Sequence, residues 1–240
     1  MNSYEQKAKQ ELRMWQQKML KKPSLTGRLT KGLQTKANNL LPEKVHEVVT
    51  EAIKQMVKVV LFGSKYITQK PLLEGTLEER ERLVGEKLNT YKKAAITSGA
   101  GTGAGGILLG LADYPILLSI KMKFLFDTAG LYGFDVRDYR ERVYILHIFQ
   151  LAFSSEQRRL EVYQQILNWD DYVSELPLDI NSFDWRTFQQ EYRDYIDLAK
   201  MLQLVPGIGA IVGAYANYRF LDKLGETAIN ANRLRFPDLR

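Results

Sequence analysis

Gly99-Ala-Gly-Thr-Gly-Ala-Gly-Gly-Ile-Leu-Leu-Gly110-Leu-Ala-Asp113-Tyr114-Pro115-Ile-Leu-Leu-Ser-Ile120 is the stretch on which the fold turns. Its small residues recur four apart: Gly101 with Gly105, Gly106 with Gly110, and Ala100 with Ala104 beside them. Residues at that spacing share one face of a helix, and a face without side chains lets two backbones approach closely. Each glycine costs about 1 kcal/mol against alanine inside a helix, so so many of them require compensating tight packing. A second stretch, Val205-Pro206-Gly-Ile-Gly209-Ala-Ile-Val-Gly213-Ala214, repeats the spacing. The two predict a central pair of glycine-rich apolar helical segments packed against each other.

As one unbroken helix, residues 99–120 would measure about 33 Å, enough for a hydrocarbon core of about 30 Å. Asp113 and Pro115 fall inside it, however, and six glycines between 99 and 110 dilute its hydrophobicity. The second segment, from Pro206 to Arg219, is too short to span. A buried hairpin in a water-soluble core is therefore the leading reading, with a membrane-inserting hairpin as the alternative.

Outward from this pair the chain reads as helices. Leu41, Val45, Val48, Ala52, Met56 and Val60 keep a spacing of three to four, with Pro42 at a first-turn position and Gly63 as the stop. Thr76 and Glu79 form a capping box ahead of Leu83, Leu88, Tyr91 and Ala95. Val136 to Phe153 predicts a helix, Ser154 with Gln157 a cap, and Leu160, Tyr163 and Leu167 the helix behind it. Residues 176–183 predict a loop. Asp184 is an N-cap for a helix carrying Phe188, Tyr192, Tyr195, Ala199 and Leu202. Strand-like alternation bounded by turns is missing throughout, so the expected class is all-α, a multi-helix bundle of about seven to nine helices.

Charge divides the chain unevenly. Of the net +6 over 240 residues, residues 1–36 hold nine Lys/Arg against Glu5 and Glu11, so that the rest is close to neutral. Within this arm Tyr4, Ala8, Leu12, Trp15 and Met19 share a helical face, while Lys7, Lys9, Arg13, Lys18, Lys21 and Lys22 occupy the remaining circumference. The expected organisation is a basic amphipathic arm over 1–36 and a helical domain over 37–240. Trp15 with Lys7, Arg13, Lys18, Lys21 and Lys22 would suit an anionic membrane surface, each near-surface charge contributing about 1 kcal/mol. The alternative, weighed equally, docks the apolar stripe on the protein's own domain. Nucleic acid is not expected, because the body lacks interleaved basic and aromatic residues. The start leads into a charged segment without the apolar run of a secretory signal, and export is not expected.

Motifs for covalent chemistry are sparse. The chain has no cysteine, which removes disulfides, thiolate ligands and a cysteine nucleophile. Gly101, Gly103 and Gly106 match a dinucleotide fingerprint and Asp127 follows at a ribose-binding distance, but the motif needs a strand in front and residues 77–95 read as a helix. Gly-x-Ser-x-Gly, His-Glu-x-x-His and phosphate-loop patterns are missing. His46 and His147 have no second histidine at ligand spacing, so no metal and no cofactor are expected. Asp113, among apolar neighbours, reads first as a helix-terminal cap and otherwise as a carboxylate needing a partner, for which Asn217 occupies the matching place after the second glycine segment.

These stretches together resemble the EcsC family. The likeness lies in Gly105 through Gly110-Leu-Ala-Asp113-Tyr114-Pro115, Tyr132-Gly133-Phe-Asp135 and the following Glu141-Arg142 helix. It continues in Val205-Pro206-Gly-Ile-Gly209-Ala-Ile-Val-Gly213-Ala, Asn217 and the final Ala-Asn-Arg-Leu-Arg, covering roughly residues 45–236. The resemblance implies a bacterial protein encoded beside an ABC-type transporter and affecting secretion and envelope processes, with no established activity. It marks Tyr132, Gly133 and Asp135 as motif positions, although a turn with Gly133 relieving strain and Asp135 capping the helix from Val136 accounts for them.

The expectation is thus a non-catalytic, membrane-proximal interaction protein in the cytoplasm, peripheral on the inner face of the cell membrane. Its expected partners are a membrane protein of the ABC-transporter kind and an anionic lipid surface. Two rivals stand beside it: a lipid- or small-molecule-binding, hydrolase-like enzyme using Asp113, Asp127 and Asp135, and a toxin-like protein inserting its glycine hairpin.

Overall fold

A computed structural model describes residues 2–21, 43–63, 66, 70–100, 106–154, 158–184, 186, 188 and 210–239, with the backbone alone described at 43–46, 96–100, 106–113, 210–217 and 237. Among these residues there are eight α-helices and no strand: α1 (Ser3–Leu20), α2 (Glu43–Phe62), α3 (Leu77–Ala100), α4 (Gly106–Leu131), α5 (Tyr139–Phe153), α6 (Arg159–Leu167), α7 (Trp169–Glu175) and α8 (Ala210–Arg233). The all-α class read from helical spacing holds.

Local chemistry fixes several ends as expected. Thr76 Oγ1 accepts from the Glu79 amide at 3.2 Å while Glu79 Oε2 accepts from the Thr76 amide at 2.8 Å, closing the capping box ahead of α3. The Gly63 amide donates back to the Val59 carbonyl, ending α2. Asn2 and Glu5 form a further capping box on α1.

Other ends differ from expectation. The helix expected from Val136 starts at Tyr139, and its cap is Asp138, which accepts from the Arg140 amide at 2.9 Å. Asp135 lies a turn earlier, where its carboxylate accepts from the Arg137 amide at 3.0 Å and opens a tight turn rather than the helix. Ser154 closes α5. The segment read as loop holds a 3-10 turn, Ile180–Ser182. Pro42, the cap partner Gln157 and most of the helix expected after Asp184 lie outside the described residues.

The centre is α3, which packs along both α4 and α8. Arg80 reaches the Leu131 carbonyl at 2.8 Å and Tyr91 reaches Asp127 at 2.8 Å, so α4 runs antiparallel to α3. Lys92 pairs with Asp222 and Arg233 with Glu81, so α8 does too. Between α3 and α4 the chain therefore reverses, and residues 99–120 are not one straight helix. The same registers bring the first turns of α4 and α8, with Gly106, Gly110 and Gly213, to the end of the bundle where α3 closes at Gly99-Ala100. Gly101, Gly105 and Gly209 lie outside the described residues. No helix among the described residues is long and apolar enough to cross a membrane.

Aromatic residues fill the core: Tyr114, Phe124, Phe126, Tyr144, Phe149, Phe153 and Tyr163 are all under 2% exposed. α1 lies on this core through Ala8, Leu12, Trp15 and Met19, touching α3, α6 and α8. Trp15, expected at a membrane surface, is 3% exposed and meets Tyr163 edge-on at 5.6 Å. Burying a stripe of this size outcompetes leaving it in water by several kcal/mol, each large side chain contributing about 1.5–3.

Candidate functional site

The motif around residue 132 is a clasp. Glu81, in α3, receives four hydrogen bonds: Tyr4 at 2.7 Å, Tyr132 at 2.9 Å, and a forked pair from Arg233 at 2.7 and 2.6 Å. Arg233 also reaches Glu11 at 3.0 Å. Burial and the neighbouring carboxylate push both tyrosine hydroxyls above their ordinary pKa. Burial pulls the Arg233 guanidinium down, but its bonds to Glu81 outweigh that and hold it above its ordinary range.

The residue before Glu81, Arg80, donates to the carbonyls of Leu72, Leu73, Gly75 and Leu131. Gly133, at φ +94°, presses on this guanidinium: a Cβ there would stand 3.2 Å from Nη1 and 3.1 Å from the Leu72 carbonyl oxygen. Arg235 forks onto Glu141 with two bonds of 2.6 Å and lies over the Phe134 ring at 3.5 Å. Tyr132, Gly133, Glu141 and the terminal Arg-Leu-Arg are thus one assembly that ties α1, α3, α5 and α8 together. Its donors and acceptors satisfy one another, so it joins these helices.

Sequence spacing missed Arg80 and Glu81, which lie in the stretch 77–95 read only as a helix. The available signal was their place between Leu77 and Val84 on the buried stripe of α3, where both are 7% exposed.

The three carboxylates do not converge. Asp127 is buried with Tyr91 and Lys87, the latter at 3.0 Å. Asp135 lies near the surface, where the Arg137 guanidinium and amide hold its carboxyl below the usual range. Asp113 stands fourteen residues before Asp127 on α4, about 21 Å along the axis, well beyond the separation of about 5 to 9 Å used by paired-carboxylate catalysts. Its side chain and that of Asn217 lie outside the described residues. Among the described residues no cluster of three metal-ligating side chains occurs.

His147 packs among Trp169, Tyr172 and Phe188, with Nδ1 2.9 Å from the Val143 carbonyl, and burial pushes its pKa down to about 4. Lys121 is wholly buried in α4, where desolvation lowers it to about 7.

Pro115 opens the second feature. Inside α4 it removes the amide that would bond the carbonyl four residues back. Beside it a groove of about 450 Å³ lies between α2 and α4, lined by Val48, Ala52, Met56, Val59 and Leu118, with Tyr66, Ser119, Glu51 and Gln55 as its polar members. Tyr66 donates to Ser119 Oγ at 3.2 Å and Gln55 to Glu51 at 2.7 Å. The neighbouring Tyr114 is fully buried, its hydroxyl without a hydrogen-bond partner among the described residues, and burial raises its pKa.

The basic residues of α1 face outward. Lys7, Arg13 and Lys21 are exposed, with Lys7 3.9 Å from Glu11, whereas Lys18 is tied to Glu226 at 2.9 Å. Lys22 lies outside the described residues.

Comparison with known proteins matches residues 6–236 to the model of the EcsC protein family. Protein EcsC of Bacillus subtilis (strain 168) is 48% identical over 227 residues, covering 94% of this chain and 93% of the relative. The uncharacterized protein YdbA of the same strain is 27% identical over 212 residues, covering 80% and 78%. No solved structure matches. The match takes in α1 as well as the clasp and both glycine-bearing helices, and the chain belongs to the EcsC protein family.

Proposed function

We propose that this protein acts by binding rather than by covalent chemistry, resting on the inner face of the cell membrane through α1 and engaging a membrane protein there, an ABC-type transporter being the kind the family resemblance implies. The observation that carries the reading is the split of α1 into two faces. Its apolar stripe is spent on the protein's own core, while Lys7, Arg13 and Lys21 remain exposed on the other side. Such a surface adsorbs by charge without inserting a side chain, so its attraction depends on anionic lipid and falls with salt. This differs from insertion through Trp15, which would require α1 to leave the core.

Sedimentation with anionic vesicles tests it. At about 1 kcal/mol per near-surface charge, changing Lys7, Arg13 and Lys21 together to Gln weakens partitioning about a hundredfold at low salt. Wild type should also release as salt is raised. Equal pelleting of wild type and variant, or wild-type pelleting with uncharged vesicles, overturns the reading.

A further inference from the structure

We propose that the apolar stripe of α1 is a transferable membrane anchor: once the protein has adsorbed to an anionic leaflet, α1 leaves the body and Leu12, Trp15 and Met19 move into the lipid. The docked seat is built so that this exchange leaves the body intact. Among the described residues, Glu81 receives the Tyr132 hydroxyl and the forked Arg233 pair from the body, and the Tyr4 bond alone comes from α1. Arg233 likewise keeps Glu81, and Asn230 Oδ1 at 3.4 Å, when Glu11 and the Ala8 carbonyl are withdrawn. Neither member of this buried pair is orphaned by the departure, so the large penalty of breaking such a pair does not arise.

The other polar ties of α1 are those of a surface. Lys18 meets Glu226 at 2.9 Å with both side chains exposed, a kind of pair that is worth little in water. Lys9 donates to the Asp238 carbonyl at 3.3 Å and Arg159 to the Lys21 carbonyl at 2.8 Å, again in exposed bonds. A cleft of about 300 Å³, lined by Glu11, Met14, Trp15, Lys18 and Glu226, lies along the seam with α8, where a packed core would leave no such void. What holds α1 is therefore its stripe, and hydrocarbon is as dry as the seat against Tyr163. Adsorption sets α1 between body and leaflet, so the face that it uncovers on α6 and α8 lands on lipid rather than in water. Lys9 and Lys18, engaged in the docked form, then join Lys7 and Arg13 at the leaflet. At about fivefold per near-surface charge, those two favour the released form about thirtyfold. The inference rests on the adsorption proposed above and adds a second step to it.

Vesicles of phosphatidylglycerol mixed with phosphatidylcholine brominated along its acyl chains provide the test, with the full chain. Bromine quenches an indole that enters the acyl region, and the Trp15 signal is the emission that Trp15→Phe lacks. Wild type should pellet with these vesicles and lose most of that signal relative to unbrominated ones. Met14→Cys with Glu226→Cys, both lining the cleft in a chain with no cysteine of its own, lets a short bis-maleimide tie α1 to α8. The bridged form should still pellet but keep its Trp15 signal, whereas the same variant with capped thiols should lose it as wild type does. Pelleting of wild type without quenching overturns the inference and leaves adsorption standing, and quenching in the bridged form overturns it as well. A wild type that stays in the supernatant defeats both readings. If the double variant misfolds, the wild-type measurement decides by itself.

Discussion

Replacing Glu81 with alanine strips the clasp of its shared acceptor. In the intact protein Glu81 lies beside Arg233, the pair 7% and 4% exposed, and it also receives the hydroxyls of Tyr4 and Tyr132. Removing one member of a buried pair leaves an uncompensated charge, which typically costs 3–5 kcal/mol, and each orphaned buried hydroxyl adds to the loss. Glu11, 3.0 Å from Arg233 but 40% exposed, still compensates part of the charge, which places the expected loss near the lower bound, about 3 kcal/mol. Urea unfolding followed by tryptophan fluorescence should show it. With a slope of about 3 kcal/mol/M for a chain of this size, the midpoint falls by about 1 M. Glu81→Leu with Arg233→Met removes both charges and should cost less than the sum of the single changes, the difference exceeding about 1 kcal/mol. A midpoint shift in Glu81→Ala under about 0.3 M, or strict additivity of the pair, refutes the clasp as a determinant of stability.

Two further predictions follow from backbone and burial. Gly85 has open space where a Cβ would go, so Gly85→Ala within α3 should stabilise by about 0.5–1 kcal/mol, whereas Gly225→Ala places a Cβ 2.7 Å from the Leu88 methyl, so crowding offsets the helix gain and this variant should be less stable than Gly85→Ala; thermal unfolding compares the two. His147, buried neutral with a pKa of about 4 against about 6.5 unfolded, contributes stability that is fully present above pH 6.5 and is lost as pH falls to about 4. The loss is on the order of 3 kcal/mol, and a His147→Phe variant should show a shallower decline over that window if the imidazole is its source.

How much of this was legible beforehand depends on which residues act locally. The capping box of Thr76 with Glu79, the stop at Gly63 and the stripes of α1 and α2 follow from contacts within four residues, which spacing alone encodes. α5 starts three residues later than spacing places it because Asp135 and Asp138 are both competent caps, and only Asp138 accepts from an amide in the first turn of the helix. Of the candidate site, Pro115 and the motif at Tyr132 and Gly133 were legible as unusual residues, but not their surroundings.

The linear chain, then, determined the helical class, the amphipathic α1 and the family, because periodicity and composition are properties of one segment at a time. Tertiary structure decided that Trp15 faces the core rather than outward. It also turned Glu81 and Arg233, 152 residues apart, into one joint, and left an apolar groove between α2 and α4. The physical reason is common to all three: a helix face is either wet or dry only in relation to its neighbours, and those neighbours come from distant parts of the chain.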